Sequence, residues 1–226
     1  MKRSKRYQAA AKKIDKNKLY ELGEAVKLIK ETATTKFDGS VEVHVRTGID
    51  TGKTDQQIRG SISLPHGTGK TIRIAAFVGG GKEKEAKEAG ADIVGEQNLI
   101  DEIKKTSKLD FDVAVATPDM MPKLAVIAKI LGPRGLMPSP KNETITTNLK
   151  KTIDALKKGK VNFRSDSTGN VHLLIGKTSF TEQQLTENFT AFLEALKKTK
   201  PASAKGVFIQ GISLASSMGP GLKVQL

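Results

Sequence analysis

The 226-residue chain contains no cysteine and no tryptophan, and aromatic residues make up only 4% of it. Without cysteine there is no disulfide scaffold, no thiolate nucleophile and no cysteine-ligated zinc or iron–sulfur site. Scarce aromatics argue against a platform that reads nucleic-acid bases by stacking. Three histidines, His44, His66 and His172, stand far apart with no His-Glu-x-x-His pairing. No metal centre or Ser–His–acid site is legible in that spacing. Long apolar runs are missing too, since nothing approaches the roughly 18 residues a membrane-spanning helix needs. No apolar stretch of signal-peptide length follows the cationic N-terminus, so the expected compartment is the cytosol.

Acidic residues are also scarce relative to basic ones: 38 Lys+Arg stand against 24 Asp+Glu, a net charge of +14. An excess of that size points to a polyanionic partner, because each neutralised phosphate releases counterions and adds affinity independent of sequence. Only seven of the cations are Arg. Extensive guanine readout by bidentate forks is thereby disfavoured, which leaves backbone and shape recognition of a folded RNA, with Lys on phosphates. A basic membrane-surface protein fits less well, since no helical face pairs the Lys excess with Trp, Phe and Leu.

Hydrophobic spacing organises the chain. Leu22, Ala25, Val26 and Ile29 predict an amphipathic helix over 19–33, broken by Phe37-Asp38-Gly39-Ser40. Val41, Val43 and Val45 alternate with Glu42, His44 and Arg46, the period of a strand with one dry and one wet face. Around Ile58 to Ser63 a less regular strand is expected. The texture changes after residues 64–70: 72–78, 91–94 and 112–117 are nearly continuous apolar runs separated by helical stretches, as parallel strands buried on both faces require. From 160 the half-wet texture returns, with 161–165 and 170–176 read as a hairpin around Asp166 to Gly169. Thr181 with Gln184 three residues on has capping-box spacing and opens a long helix closed before Pro201. A final strand over 206–216 leads to Met218-Gly219-Pro220-Gly221.

Strands with one buried face need a partner layer, and neither flank alone supplies enough of them. The expected architecture is therefore α/β and α+β in two domains. Residues 1–69 and 159–226 form a discontinuous α+β two-layer domain, interrupted by an inserted three-layer Rossmann-like α/β domain over 70–158. Residues 71–158 hold 15 basic and 12 acidic residues, which leaves +11 of the +14 on the flanks. Gly67, Gly69 and Gly159 sit at the crossings and are expected to act as a hinge.

Catalytic motifs fail on spacing. Gly-Lys-Thr occurs at Gly52, Gly69 and Gly176, but Thr47, Leu64 and Val171 stand where a Walker A loop needs its first Gly. Gly79-Gly80-Gly81 follows an apolar strand, yet Lys84 occupies the third glycine position of a dinucleotide fingerprint. A plain strand-to-helix turn is the better reading, although a nucleotide-dependent enzyme using the insert is the alternative class. Phe37, a lone aromatic before the first strand, reads first as a core anchor. Met218 between Ser217 and Gly219 has no helix or strand face to join, so it reads either as a core plug or as an apolar contact laid against a ribose or base.

The strings LGPRGLMPSPK (131–141), KFDGSVEVHV (36–45), LPHGTGK (64–70) and SSMGPG (216–221) together closely resemble the bacterial-type L-one family of large-subunit ribosomal proteins, over essentially all 226 residues. The resemblance implies the same interrupted two-domain layout and a non-catalytic protein without cofactor or metal. It implies binding of large-subunit rRNA at the mobile stalk, help in exit-site tRNA release, and repression of translation through the leader mRNA of a ribosomal-protein operon. A monomer when free, with no membrane partner, is implied as well. Carried over by motif, the RNA-facing positions are Lys36, Phe37, Ser40 and Glu42, then Asp166, Thr168, His172, Lys177 and Ser179, and finally Ser217, Met218 and Gly219. Gly39 departs from an acidic residue common in the family, and Ser40 and Ser217 from the usual Thr.

Overall fold

A computed structural model of the chain describes residues 3–15 and 17–225. Lys2 and Lys16 of the cationic N-terminal segment lie outside them. The chain divides into two compact units, Met1–Gly69 with Val161–Leu226, and Lys70–Lys160. Helix α1 (Lys5–Lys12) is capped by Ser4, whose Oγ accepts from the Tyr7 amide at 3.3 Å. It buries only Ala10, which is why no hydrophobic period announces it. Helix α2 (Leu22–Thr32) turns Ala25, Val26 and Ile29 inward, as their spacing predicts. Strand β1 (Ser40–Thr47) buries Val41, Val43 and Val45 completely while Glu42, His44 and Arg46 stay accessible. Strand β2 (Arg59–Ser63) follows.

The second unit runs through β3 (Ile74–Phe77), α3 (Glu83–Glu88), β4 (Ile93–Gly95), α4 (Gln97–Thr106), β5 (Val113–Ala116), the short helices α5 (Met121–Leu124) and α6 (Ala128–Leu131), and α7 (Leu149–Lys157). Its three strands pair in parallel in the order β4-β3-β5. Every β3 residue is buried because both faces are covered. Ala75 and Phe77 pack towards Ile100, Ile103, Leu124 and Leu131, and Ile74 and Ala76 towards Ala86, Leu149, Ile153 and Leu156. The string at 131–137 is a turn whose apolar ends, Leu131, Leu136 and Met137, join the first of these clusters and leave Pro133 and Arg134 exposed.

Back in the first unit, β6 (Lys160–Arg164) and β7 (Asn170–Lys177) do not make the expected hairpin. Only a bridge between Ser165 and Val171 joins the two segments. Strand β6 pairs with β2, and β7 lies beside β1. The reason is packing: β1 offers β7 a register that matches dry face to dry face, Val43 with Leu173 and Val45 with Val171. Helix α8 (Glu182–Lys198) opens with the predicted capping box at Thr181 and Gln184 and buries Leu185, Phe189, Phe192 and Leu196. Strand β8 (Ile209–Ser216) pairs with β1, and an unanticipated strand β9 (Gly221–Val224) completes an antiparallel sheet in the order β7-β1-β8-β9. Helices α2 and α8 cover one face. Glu42, His44, Arg46, His172, Ser213 and Lys223 share the other, none of them buried.

The two chain crossings of the first unit are brought together by β2 and β6. The Ile58 carbonyl accepts from the Ser165 amide at 3.0 Å, and a Cβ on Gly60 would lie 2.6 Å from the Phe163 ring. As one strand advances by two residues the other retreats by two, so the end of β2 approaches the start of β6. Joining Gly69 to Val161 with a short Gly/Ser linker should therefore give a product that unfolds in one cooperative step, because closing a short loop costs little entropy. Urea denaturation followed by circular dichroism checks this, and a product that elutes as an aggregate refutes it. Among the described residues no helix is long and apolar enough to cross a membrane.

Candidate nucleic-acid interface

With the boundaries at 69/70 and 160/161, the first unit holds 21 basic and 12 acidic residues, a net of +9. The twelve positions carried over from the family motifs all lie on it, in two clusters. Roughly 13 Å along β1 separates Ser40 from His44, the centres of the two, at about 3.3 Å per strand residue.

The first cluster gathers where the start of β1, the end of β7 and the β8–β9 turn meet. Ser40 pairs with Lys177, and Val41 with Ser216. The Ser217 amide donates to the Ser40 carbonyl at 2.8 Å, and the Ser40 amide donates to Ser217 Oγ at 3.0 Å. Lys177 Nζ donates to Ser40 Oγ at 3.2 Å. Asp38, which the sequence did not single out, ties the preceding loop down. Its carboxylate accepts from Thr178 Oγ1 at 2.9 Å, from the Ser179 amide at 3.1 Å and from Ser179 Oγ at 2.9 Å. These bonds, with Thr178 first, hold the Asp38 carboxyl below its ordinary range.

This bracing sets what remains free. Phe37 is 57% exposed and Met218 is 70% exposed, so neither is a core residue. The core-anchor reading of Phe37 fails because the loop is pinned by polar bonds, and the apolar core beneath is already filled from β1 and α2. Met218 adopts φ 59, a left-handed conformation that L side chains rarely take, and projects from the turn. A Cβ on Gly219 would lie 2.2 Å from Ser216 Oγ, so any side chain there displaces that buried hydroxyl. Lys36 is exposed, whereas the hydroxyls of Ser179 and Ser217 are committed within the protein. A Cβ on Gly39 would meet its neighbours at 3.5–3.6 Å, ordinary contact, so the geometry does not demand glycine there.

The second cluster is built on the Asp166 turn and the open sheet face. Asp166 accepts from the Asn170 amide at 2.7 Å and from the Thr168 amide and Oγ1 at 2.9 Å each. The Asn170 bond contributes most to holding its carboxyl far below the usual range. His172 Nε2 lies 3.3 Å from Asp166 Oδ2, and His172 Nδ1 lies 2.8 Å from Nδ1 of His44. His44 Nε2 in turn lies 3.9 Å from Glu42. An open groove of about 840 Å³ runs across this face between Arg46, Asn170, Gln210 and Lys223. Arg59 and Arg164 line a second groove beside Asp166 and His172. His44, Arg46 and Lys223 line the first groove, and motif matching did not single them out. The alternation of β1 already placed the first two on the wet face.

Gly67, Gly69 and Gly159 all adopt positive φ, 64, 69 and 99. Asn188, fully buried in α8, accepts from the His66 amide at 3.1 Å and donates to the Gly67 carbonyl at 2.9 Å. A Cβ on Gly69 would lie 2.9 Å from Lys177 and Phe180. Among the described residues no group of three or more His, Asp or Glu side chains could hold a metal ion.

Residues 29–220 match the model of the ribosomal protein L1p/L10e family. Proteins named large ribosomal subunit protein uL1 are similar over nearly the full chain. The protein from Frankia alni is 52% identical over 224 residues, covering 99% of this chain and 94% of that protein. The one from Kosmotoga olearia is 52% identical over 223 residues, covering 99% and 96%. The one from Mycoplasma capricolum is 52% identical over 222 residues, covering 98% of each. With a family model spanning most of the chain and identities of this size, the chain belongs to the ribosomal protein L1p/L10e family, a family of structural ribosomal proteins and not of enzymes.

Proposed function

We propose that this protein is a constituent of the large ribosomal subunit in the cytoplasm and binds large-subunit rRNA at the mobile stalk through the first unit. The observation that carries the reading is the braced strand-end cluster. It leaves Phe37 and Met218 out in solvent in a cluster that also holds Lys36 and Lys177, on the unit that bears most of the charge. Apolar side chains held rigidly outside a core have nothing to pack on until a partner arrives, and the flanking lysines favour phosphate. Because folded RNA is recognised by shape, the same cluster serves a leader mRNA that presents the same fold, the basis for autogenous repression. Exit-site tRNA release falls to the second unit. Motion for that step is expected at residues after Gly69 and at Gly159, since Gly67 and Gly69 are held against the first unit.

Replacing Met218 by Ala should weaken binding to a stalk rRNA fragment by about 1–3 kcal/mol, the size of one specific contact, and leave a scrambled RNA nearly unaffected. Lys177→Ala should weaken both. Filter binding at fixed salt reads the difference, and equal losses on both RNAs for Met218→Ala would remove Met218 from the specific interface. The linked first unit alone should keep stalk-RNA affinity within about tenfold, roughly 1.4 kcal/mol, of the whole chain.

A further inference from the structure

The sheet face that α2 and α8 leave uncovered carries an unusual row: Glu42, His44, His172 and Asp166, each in reach of the next. His44 Nδ1 and His172 Nδ1 are 2.8 Å apart with the rings edge-on. Two imidazole nitrogens that close repel unless one of them alone carries hydrogen. At the far end, His172 Nε2 faces the ionised Asp166 at 3.3 Å and is favourable only as a donor. With hydrogen on His172 Nε2, the neutral pair must place its shared hydrogen on His44 Nδ1, and His44 Nε2 is then a bare lone pair facing Glu42 at 3.9 Å. One more proton, taken on His44 Nε2, gives that nitrogen a carboxylate partner and leaves every other bond in the row intact.

We infer that His44 is a proton-accepting positioning residue of the RNA interface, and that RNA binding is coupled to uptake of one proton at His44 Nε2. The inference rests on the RNA-binding reading above and deepens it. In the free protein the charges around the pair come from every adjoining strand: Glu42 and Arg46 on β1, Asp166 beside β7, Lys223 on β9, and Arg59 and Arg164 on β2 and β6. Strand β8 contributes only Ser213 at this level. Four cations against two carboxylates disfavour a further positive charge, and burial with the neighbouring His172 keeps His44 below its ordinary value despite Glu42. A phosphate strand laid across Arg46 and Lys223 offsets those cations. His44 then takes up a proton on Nε2, which screens Glu42, the one carboxylate on the β1 wet face, from the incoming phosphates.

The linkage has a definite sign. A group whose pKa is higher in the complex than in the free protein makes binding stronger as pH falls, by at most about tenfold per pH unit for one proton. Asp38 and Asp166, both lowered, remain ionised near neutral pH, so neither of these carboxylates supplies the proton-linked change.

The test uses the full chain and a stalk rRNA fragment. From about pH 8 to about pH 5.5 affinity should rise about tenfold. Calorimetry in two buffers of different ionisation enthalpy near pH 6.5 should find between about half and one proton taken up. His44→Asn keeps an amide near the Nδ1 position and cannot titrate. Whatever its affinity at pH 8, it should lose the rise at low pH and take up no proton. A variant weakened equally at every pH would make His44 merely structural and overturn the proposal. Proton uptake that survives in His44→Asn would assign it to His172, to the RNA or to His66, which pairs with Glu187 elsewhere, and would overturn it too. Salt-dependent binding with no pH dependence sinks the proposal while the RNA reading stands; no affinity at any pH or salt removes both.

Discussion

A tenfold rise in monovalent salt should lower the affinity for a stalk rRNA fragment by about three and a half to four and a half orders of magnitude. That range follows from five phosphate contacts at a slope of about −0.7 to −0.9 each. Lys36, Arg46, Arg59, Arg164, Lys177 and Lys223 lie at the two clusters and are not fully buried, so five contacts is a modest demand. Titrations at several salt concentrations and one pH give the slope directly. A slope shallower than about −2 would mean that the net +9 of the first unit is a solubility feature and not a binding surface. The same slope measured on the linked first unit should be unchanged, because the contacts are assigned to that unit alone.

Phe192→Ala should destabilise the first unit by about 3–5 kcal/mol, the range for deleting a large aromatic from a core. Phe192 is fully buried and its ring meets that of Phe163 edge-on with centroids 5.7 Å apart. Phe163 belongs to β6, so Phe192 ties α8 to the small β2–β6 sheet that carries the crossings. Losing it opens a cavity where two layers meet, and little in a helix braced at both ends can move to fill it. Hydrogen exchange of amides in β1 and β7 reads the stability of this unit separately from the second, whose own core does not contain Phe192. Protection in β3 and β5 should be unaffected. A loss below about 1 kcal/mol would show that the site collapses freely.

Much of this molecule is legible before any coordinates. The 3.6-residue spacing in α2, the Thr181–Gln184 box of α8, the alternation of β1 and the continuous apolar runs of β3, β4 and β5 are local signals, set by residues within a few positions of one another. The concentration of positive charge on the flanks is additive and needs no structure either. Strand β9 and helix α1 escaped because one is four residues long and the other buries a single alanine.

Other features depend on which distant segments meet. Whether β7 pairs with β6, its neighbour in sequence, or with β1, more than a hundred residues away, depends on competing registers that share the same hydrophobic period. Phe37 carries the same preference for burial as any phenylalanine, and only the polar ties of Asp38 to Thr178 and Ser179 leave it outside. Asn188 reads as an ordinary polar helix residue until the fold surrounds it with His66, Gly67 and Ile175 and gives each of its polar atoms a backbone partner. His44 and His172 are unremarkable apart, and become a proton-sharing pair because one register places them opposite each other. Charge, periodicity and capping are properties of a segment and so were determined by the sequence alone. Partnership was decided by the tertiary structure, because burial and hydrogen bonding are energies of pairs, and the second member of each pair is brought there by the rest of the chain.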